Sequence, residues 1–189
     1  SLKMDADTII AGLLHDVVED CEISLKTVKK EFGTNVAKLV DGMTKLLQLD
    51  DKLKDQSQAE YFQKMALATA EDVRVVIIKL ADRLHNLQTI EHLPREKQIK
   101  KARETLELYA PLAHQIGMHK MATDLEDHAF KTIHPFRHKL IEQALKKNEL
   151  NRKTLISKVK KTLRAKFKKN EVPADTKGRR KRIYSIYQK

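Results

Sequence analysis

Apolar residues three and four apart recur through almost the whole chain, a periodicity that packed α-helices satisfy and strands do not. The segment Asp72–Thr89, DVRVVIIKLADRLHNLQT, shows it best. Val73, Val76, Ile77, Leu80, Leu84 and Leu87 predict one apolar face, and Ile78, Asp82, Asn86 and Thr89 fall in a second line. A carboxylate in the middle of a core helix needs a partner. Arg83 is not the obvious one, because adjacent residues diverge by about 100° on an α-helix. Another Lys or Arg in a buried ion pair is one solution for Asp82, and a metal ion is the other.

The second constraining stretch is Thr8–Asp20, TIIAGLLHDVVED. Ile9, Ile10, Leu13, Leu14, Val17 and Val18 predict one mostly buried helix. His15 and Glu19, like Asp16 and Asp20, are four apart and stack on neighbouring turns. Three carboxylates in a last turn oppose the helix dipole and repel one another beside a buried imidazole. A bound cation removes both objections; a frayed acidic helix end with a hydrogen-bonded histidine is the plainer alternative. Imidazole and carboxylates without thiolate favour Mn²⁺, Fe²⁺, Zn²⁺ or Mg²⁺.

Elsewhere Ser24 predicts an N-cap for LKTVKKEF with Gly33 as its stop, and Thr34 a cap for NVAKLVDGMTKLLQL, with Val36, Leu39, Val40, Met43, Leu46 and Leu47 as its stripe. Residues 50–58 read as a loop, and Ser57 with Glu60 as a capping box for AEYFQKMALAT. Pro94 opens a long helix ending at Gly117, kinked at Pro111; helices follow over 119–134, from Pro135, and over 151–169. After the punctuation NEVPADTKG, the alternation in Ile183–Tyr187 predicts a short strand, which needs partners to be stable. The expected fold class is all-α.

Charge divides the chain. Of 38 Lys and Arg, 20 lie in 131–189 with only 4 of the 26 Asp and Glu, leaving 18 against 22 in 1–130. Such asymmetry suits a polyanionic partner. The single cysteine, Cys21, excludes an internal disulfide, makes a reducing cytoplasm the default, and reads as structural or incidental rather than nucleophilic. No apolar run approaches the roughly 20 residues of a membrane span.

The blocks LLHDVVED, FGTNVAKLVDGMTKL, IIKLADRLHNLQT, ETLELYAPLAHQIGM and DLEDHAF, in this order, resemble consecutive signatures of the RelA/SpoT family, alarmone enzymes whose N-terminal domain is an HD-type phosphohydrolase. The tail GRRKRIYSIYQK is similar to the opening of that family's synthetase domain, usually GRPKHIYSIYxK. The resemblance implies an HD-domain helical bundle over 1–135, a basic helical linker over 136–170 and the start of a synthetase domain over 171–189. It implies His15, Asp16 and Asp82 as metal ligands, Mn²⁺ as the ion, Glu19 and Asp20 as the pair that activates or positions the attacking water, and Asn86 and Thr89 as lining the nucleotide pocket. Lys45 is a weaker match for a phosphate contact, against a lysine at a helix end facing water. Arg179, Lys181, Ser185 and Lys189 match the synthetase's nucleotide site, with Arg180 and Arg182 replacing the usual Pro and His.

The implied reaction is hydrolysis of ppGpp or pppGpp at the 3′ position to GDP or GTP and pyrophosphate, in a cytoplasmic protein with attached synthetase and regulatory domains. Intact acidic pairs favour this over a catalytically inactive, nucleotide-sensing HD domain, and the neighbouring blocks favour it over an HD hydrolase of other nucleotides. Nucleic-acid binding through 131–189 is not expected, since a solvated helix face plus a synthetase loop accounts for the basic residues. One departure stands out. The family takes a further metal-ligating histidine from an upstream HPxxVA-like segment, which would precede Ser1. His85, His114, His119, His128, His134 and His138 do not sit in a matching context. The chain thus reads as an excerpt with a site one ligand short and weak metal affinity by itself; tight stoichiometric Mn²⁺ binding in a titration would contradict this.

Overall fold

Helix is the only regular structure among the described residues of the computed structural model, which are 4–21, 23–52, 72–176, 178 and 181–189. The capping box at Ser57–Glu60, its helix, and Arg179 and Arg180 lie outside them. The chain divides into two compact units, Ser1–Ala129 and Phe130–Lys189.

In the first unit α1 (Ala6–Leu13) and α2 (Val17–Asp20) are followed by α3 (Leu25–Phe32), α4 (Thr34–Lys52) and α5 (Val73–Gln88). α4 packs against α1, α3 and α5, and α1 against α5. Ser24 caps α3 as its spacing predicts, its Oγ accepting the Thr27 amide at 3.2 Å, and Gly33 follows the helix at φ +92°. Val36, Leu39, Val40, Met43 and Leu46 are buried as one stripe. α4 continues through residues 50–52, where a loop was expected, because nothing in QLDDK breaks a helix.

Thr8–Asp20 is not one buried helix. The Leu14 amide donates to both Ile10 and Ala11 carbonyls, tightening the last turn, and the chain breaks before α2. The Gly12 carbonyl, which a continuous helix would offer to the Asp16 amide, is taken by the His15 ring at 2.8 Å. Ile9 and Leu13 are exposed, at 56% and 79%.

One arginine sets the register of α1 against α5. Asp5 caps α1, accepting the Thr8 amide at 2.8 Å, and Asp72 caps α5, accepting the Arg74 amide at 2.9 Å. The Arg74 guanidinium reaches both carboxylates, at 3.0 Å to Asp5 and 2.7 Å to Asp72. The two helices therefore start side by side. Val73 is exposed rather than part of the core face, while Val75, Ile78 and Lys79 join Val76, Leu80 and Leu87 inside.

Beyond a 3₁₀ turn at Ile90–His92 come α6 (Arg95–Glu104), a π-turn at Thr105–Tyr109, α7 (Ala110–Gln115) and α8 (His119–Ile133). The π-turn lies just before Pro111, where the predicted kink was placed. A proline inside a helix clashes with the carbonyl four residues back, and a widened turn relieves it. Tyr109 is buried there, with the Arg83 guanidinium 4.1 Å above its ring.

The second unit holds α9 (Pro135–Lys147), the basic α10 (Glu149–Lys169) and α11 (Ile183–Tyr187). The expected terminal strand is this short helix. Tyr184 and Tyr187, three apart, both pack on Phe130, with ring centroids at 5.6 and 4.5 Å. A strand would place residues three apart on opposite faces.

Candidate metal centre

His15 and Asp82 each lie ten residues beyond the cap that Arg74 clamps, Asp5 for the one and Asp72 for the other. With α1 and α5 starting side by side, the turn just past the end of α1 brings His15 beside Asp82. There His15 Nε2 faces Asp16 Oδ2 at 2.9 Å and Asp82 Oδ1 at 3.5 Å. His15 Nδ1 donates to the Gly12 carbonyl at 2.8 Å, which in a neutral ring leaves the Nε2 lone pair turned toward the carboxylates. Nε2 is buried, yet neither carboxylate lies on the line of a good hydrogen bond from it.

A bare lone pair facing carboxylates is repulsive, so the arrangement favours positive charge on or beside Nε2, which a proton or a metal ion can supply. Asp82, at the outer limit of hydrogen-bond distance, does most to raise the imidazole to about 9, outweighing its burial, with the Gly12 carbonyl and the Asp16 charge assisting. Burial pushes the Asp82 carboxyl up, but His15, Lys79 and Arg83 together hold it below its usual range. Lys79 is itself buried, its Nζ 4.0 Å from Asp82 Oδ2. Arg83 turns away, as the helical offset predicts, to Glu104 at 3.4 Å.

The structure brings together His15, Asp16 and Asp82 of the predicted set. Asn86 joins them differently from expectation: its amide donates to Asp82 Oδ1 at 2.8 Å, so it steadies a carboxylate. Glu19 and Asp20 follow on α2, both exposed. The Thr89 hydroxyl donates to the His85 carbonyl at 3.1 Å, capping α5. Lys45 stands within α4 rather than at a helix end and pairs with Asp41 at 2.7 Å, largely exposed. Lys79 is the partner that the ion-pair alternative for Asp82 left unnamed; its signal was a lysine three residues before Asp82 on a core helix, the spacing of an i,i+3 ion pair. Among the described residues no three or more His, Cys, Asp or Glu stand open around a common ion position. Asp16 and Asp82 face the His15 imidazole instead.

The family model described as "HD domain" matches residues 1–119. Three relatives extend the likeness. The "guanosine-3′,5′-bis(diphosphate) 3′-pyrophosphohydrolase" of Vibrio cholerae is 41% identical over 188 residues, all of this chain and 27% of the relative. The "bifunctional (p)ppGpp synthase/hydrolase SpoT" of Escherichia coli K12 is 42% identical over 98% of this chain and 26% of its own length. The "GTP pyrophosphokinase" of Streptomyces coelicolor is 46% identical over the whole chain and 22% of the relative. This chain carries an HD domain of the RelA/SpoT family. It spans about a quarter of the length of the curated relatives it matches.

An HD domain implies a divalent metal, and the donors here fit one. His15 offers a buried, unbonded Nε2 and a tautomer fixed from behind by Gly12. Asp16 and Asp82 supply hard oxygen donors, and Asn86 braces Asp82, the kind of support that metal-ligating carboxylates receive. No helix of the described residues is long and apolar enough to cross a membrane.

Proposed function

We propose that this HD domain hydrolyses (p)ppGpp at its 3′-pyrophosphate, giving GDP or GTP and pyrophosphate, with Mn²⁺ as the ion. The observation that carries the reading is the buried, unbonded Nε2 of His15 facing the carboxylates of Asp16 and Asp82. The relatives' names supply the substrate class.

His15, Asp16 and Asp82 would hold the ion. When bound, a divalent ion polarises a phosphoryl oxygen and lowers the pKa of a coordinated water. Glu19, exposed on the turn after Asp16, orients the attacking water and accepts its proton, with Asp20 assisting. Asn86 keeps Asp82 oriented while it and Thr89 line the nucleotide side of the centre. Lys79, buried behind Asp82, offsets part of the negative charge that would otherwise repel a polyphosphate. Residues 1–135 form the hydrolase domain, 136–170 a basic linker, and 171–189 the opening of a synthetase domain in a longer, cytoplasmic, stringent-response protein with regulatory domains. No nucleic-acid partner is assigned to this segment.

Pyrophosphate release from ppGpp in the presence of Mn²⁺, by the longer protein that carries this domain and the upstream histidine, tests the reading. Asp16→Ala and Asp82→Ala should each abolish it, whereas Glu19→Gln should keep the metal and lose about 10²–10⁴-fold in rate, the usual worth of a general base. Turnover that survives either aspartate substitution rejects the assignment.

A further inference from the structure

His114 and His119 take no part in the chemistry above and meet at the junction of α7 and α8. α7 ends in a Schellman motif: the Met118 amide donates to the Ala113 carbonyl at 2.8 Å and the Gly117 amide to the His114 carbonyl at 3.1 Å. Gly117 sits at φ +79°, which a side chain would oppose. The reversal returns His119, the first residue of α8, against His114. Their Nδ1 atoms are 3.4 Å apart and their rings tilted by 45°.

On its far side His114 Nε2 lies 3.1 Å from Glu126 Oε1. A carboxylate only accepts, so Nε2 carries the proton and a neutral His114 turns a lone pair from Nδ1 toward His119. This carboxylate–imidazole order is the one that orients metal-ligating histidines. The spacing agrees as well. Two nitrogens each about 2.0–2.1 Å from one tetrahedral ion stand about 3.3–3.4 Å apart.

We propose that His114 and His119 form a second metal site, separate from the HD centre, that takes Zn²⁺ through the two Nδ1 atoms with Glu126 fixing the ligating tautomer of His114. Imidazole donors without thiolate suit Zn²⁺, Ni²⁺ and Cu²⁺. Among the described residues no third donor completes a closed cage, so water fills the remaining positions at this exposed site. Occupied, it fastens the end of α7 to the start of α8 across the Gly117 turn.

Zn²⁺ titration of the whole chain, followed through the imidazole nitrogens by ¹H–¹⁵N NMR and by calorimetry, tests this. His114 and His119 Nδ1 signals should shift together and saturate, while His92 and His134 stay still. The His114→Gln, His119→Gln double variant should bind one Zn²⁺ equivalent fewer and keep the response of His15. Glu126→Gln should keep the stoichiometry and weaken this site about 10–100-fold. Silent His114 and His119 signals, an unchanged stoichiometry in the double variant, or undiminished affinity in Glu126→Gln would each overturn the proposal. All three positions lie at least partly open to solvent, and helical circular dichroism verifies that each variant is folded before it is titrated.

Discussion

The centre turns on how few bonds each residue has to spare. Asp82 has one oxygen toward His15 and Asn86 and the other toward Lys79. Removing the Asn86 amide leaves that carboxylate free to turn, so Asn86→Ala should weaken Mn²⁺ binding about 10–100-fold, measured by titration, with little change in fold. Unchanged affinity would make Asn86 a nucleotide contact alone. The Arg74 clamp has its own signature. Asp5 is held low by bonds from Thr8 and by Arg74, and Asp72 is held low by the Arg74 side chain against its burial. Carboxyls depressed in the folded state stabilise it above their unfolded pKa, and that stability is lost as pH falls through the folded values. Acid should therefore destabilise the protein from about pH 4 downward. Arg74→Ala should flatten that slope. Denaturant midpoints across pH 2–5 check both. At this scale the sequence was informative where chemistry is carried by residue type: a histidine, aspartates and an asparagine at helical offsets. It was silent on which way each side chain turns, so the bond from the Asn86 amide to Asp82 could not be read from the shared helical stripe.

Elements were legible where one period dominates and obscure where a side chain competes with the backbone. Core stripes such as Val36–Leu46 could be read directly, because burying them is the only way to satisfy a three–four spacing. The break after Leu13 was not legible, since it depends on the His15 ring capturing the Gly12 carbonyl. The α11 helix was misread because Ile-Tyr-Ser-Ile-Tyr satisfies a period of two as well as of three, and only the position of Phe130 decides between them. Truncating that ring, buried to 0% exposure, should cost about 3–5 kcal/mol in Phe130→Ala. It should also release Tyr184 and Tyr187, seen as loss of near-ultraviolet tyrosine dichroism. Gly42 marks the close crossing of α4 and α5: a Cβ there would stand 2.8 Å from Val75 Cγ2. Gly42→Ala gains about 1 kcal/mol of helix propensity but meets a stiff β-branched neighbour. Overpacking costs about 1–3 kcal/mol, so the melting temperature should fall or at best hold. A clear rise would mean the helices separate easily.

Across the whole molecule the acidic and basic halves of the sequence correspond closely to the two compact units, although the units divide at Ala129 and Phe130, inside α8. The first unit carries the HD centre and the Gly117 histidine pair, and its chemistry depends on two helices started in register by one arginine. That the register delivers His15 and Asp82 to a common ion is the claim on which the rest stands. A crystal grown with Mn²⁺, measured at the manganese absorption edge, addresses it directly. The account predicts an anomalous peak bonded to His15 Nε2 and to carboxylate oxygens of Asp16 and Asp82, with Asn86 still on Asp82. A manganese peak lying elsewhere, with Asp82 remaining on Lys79 and the imidazole, would contradict it.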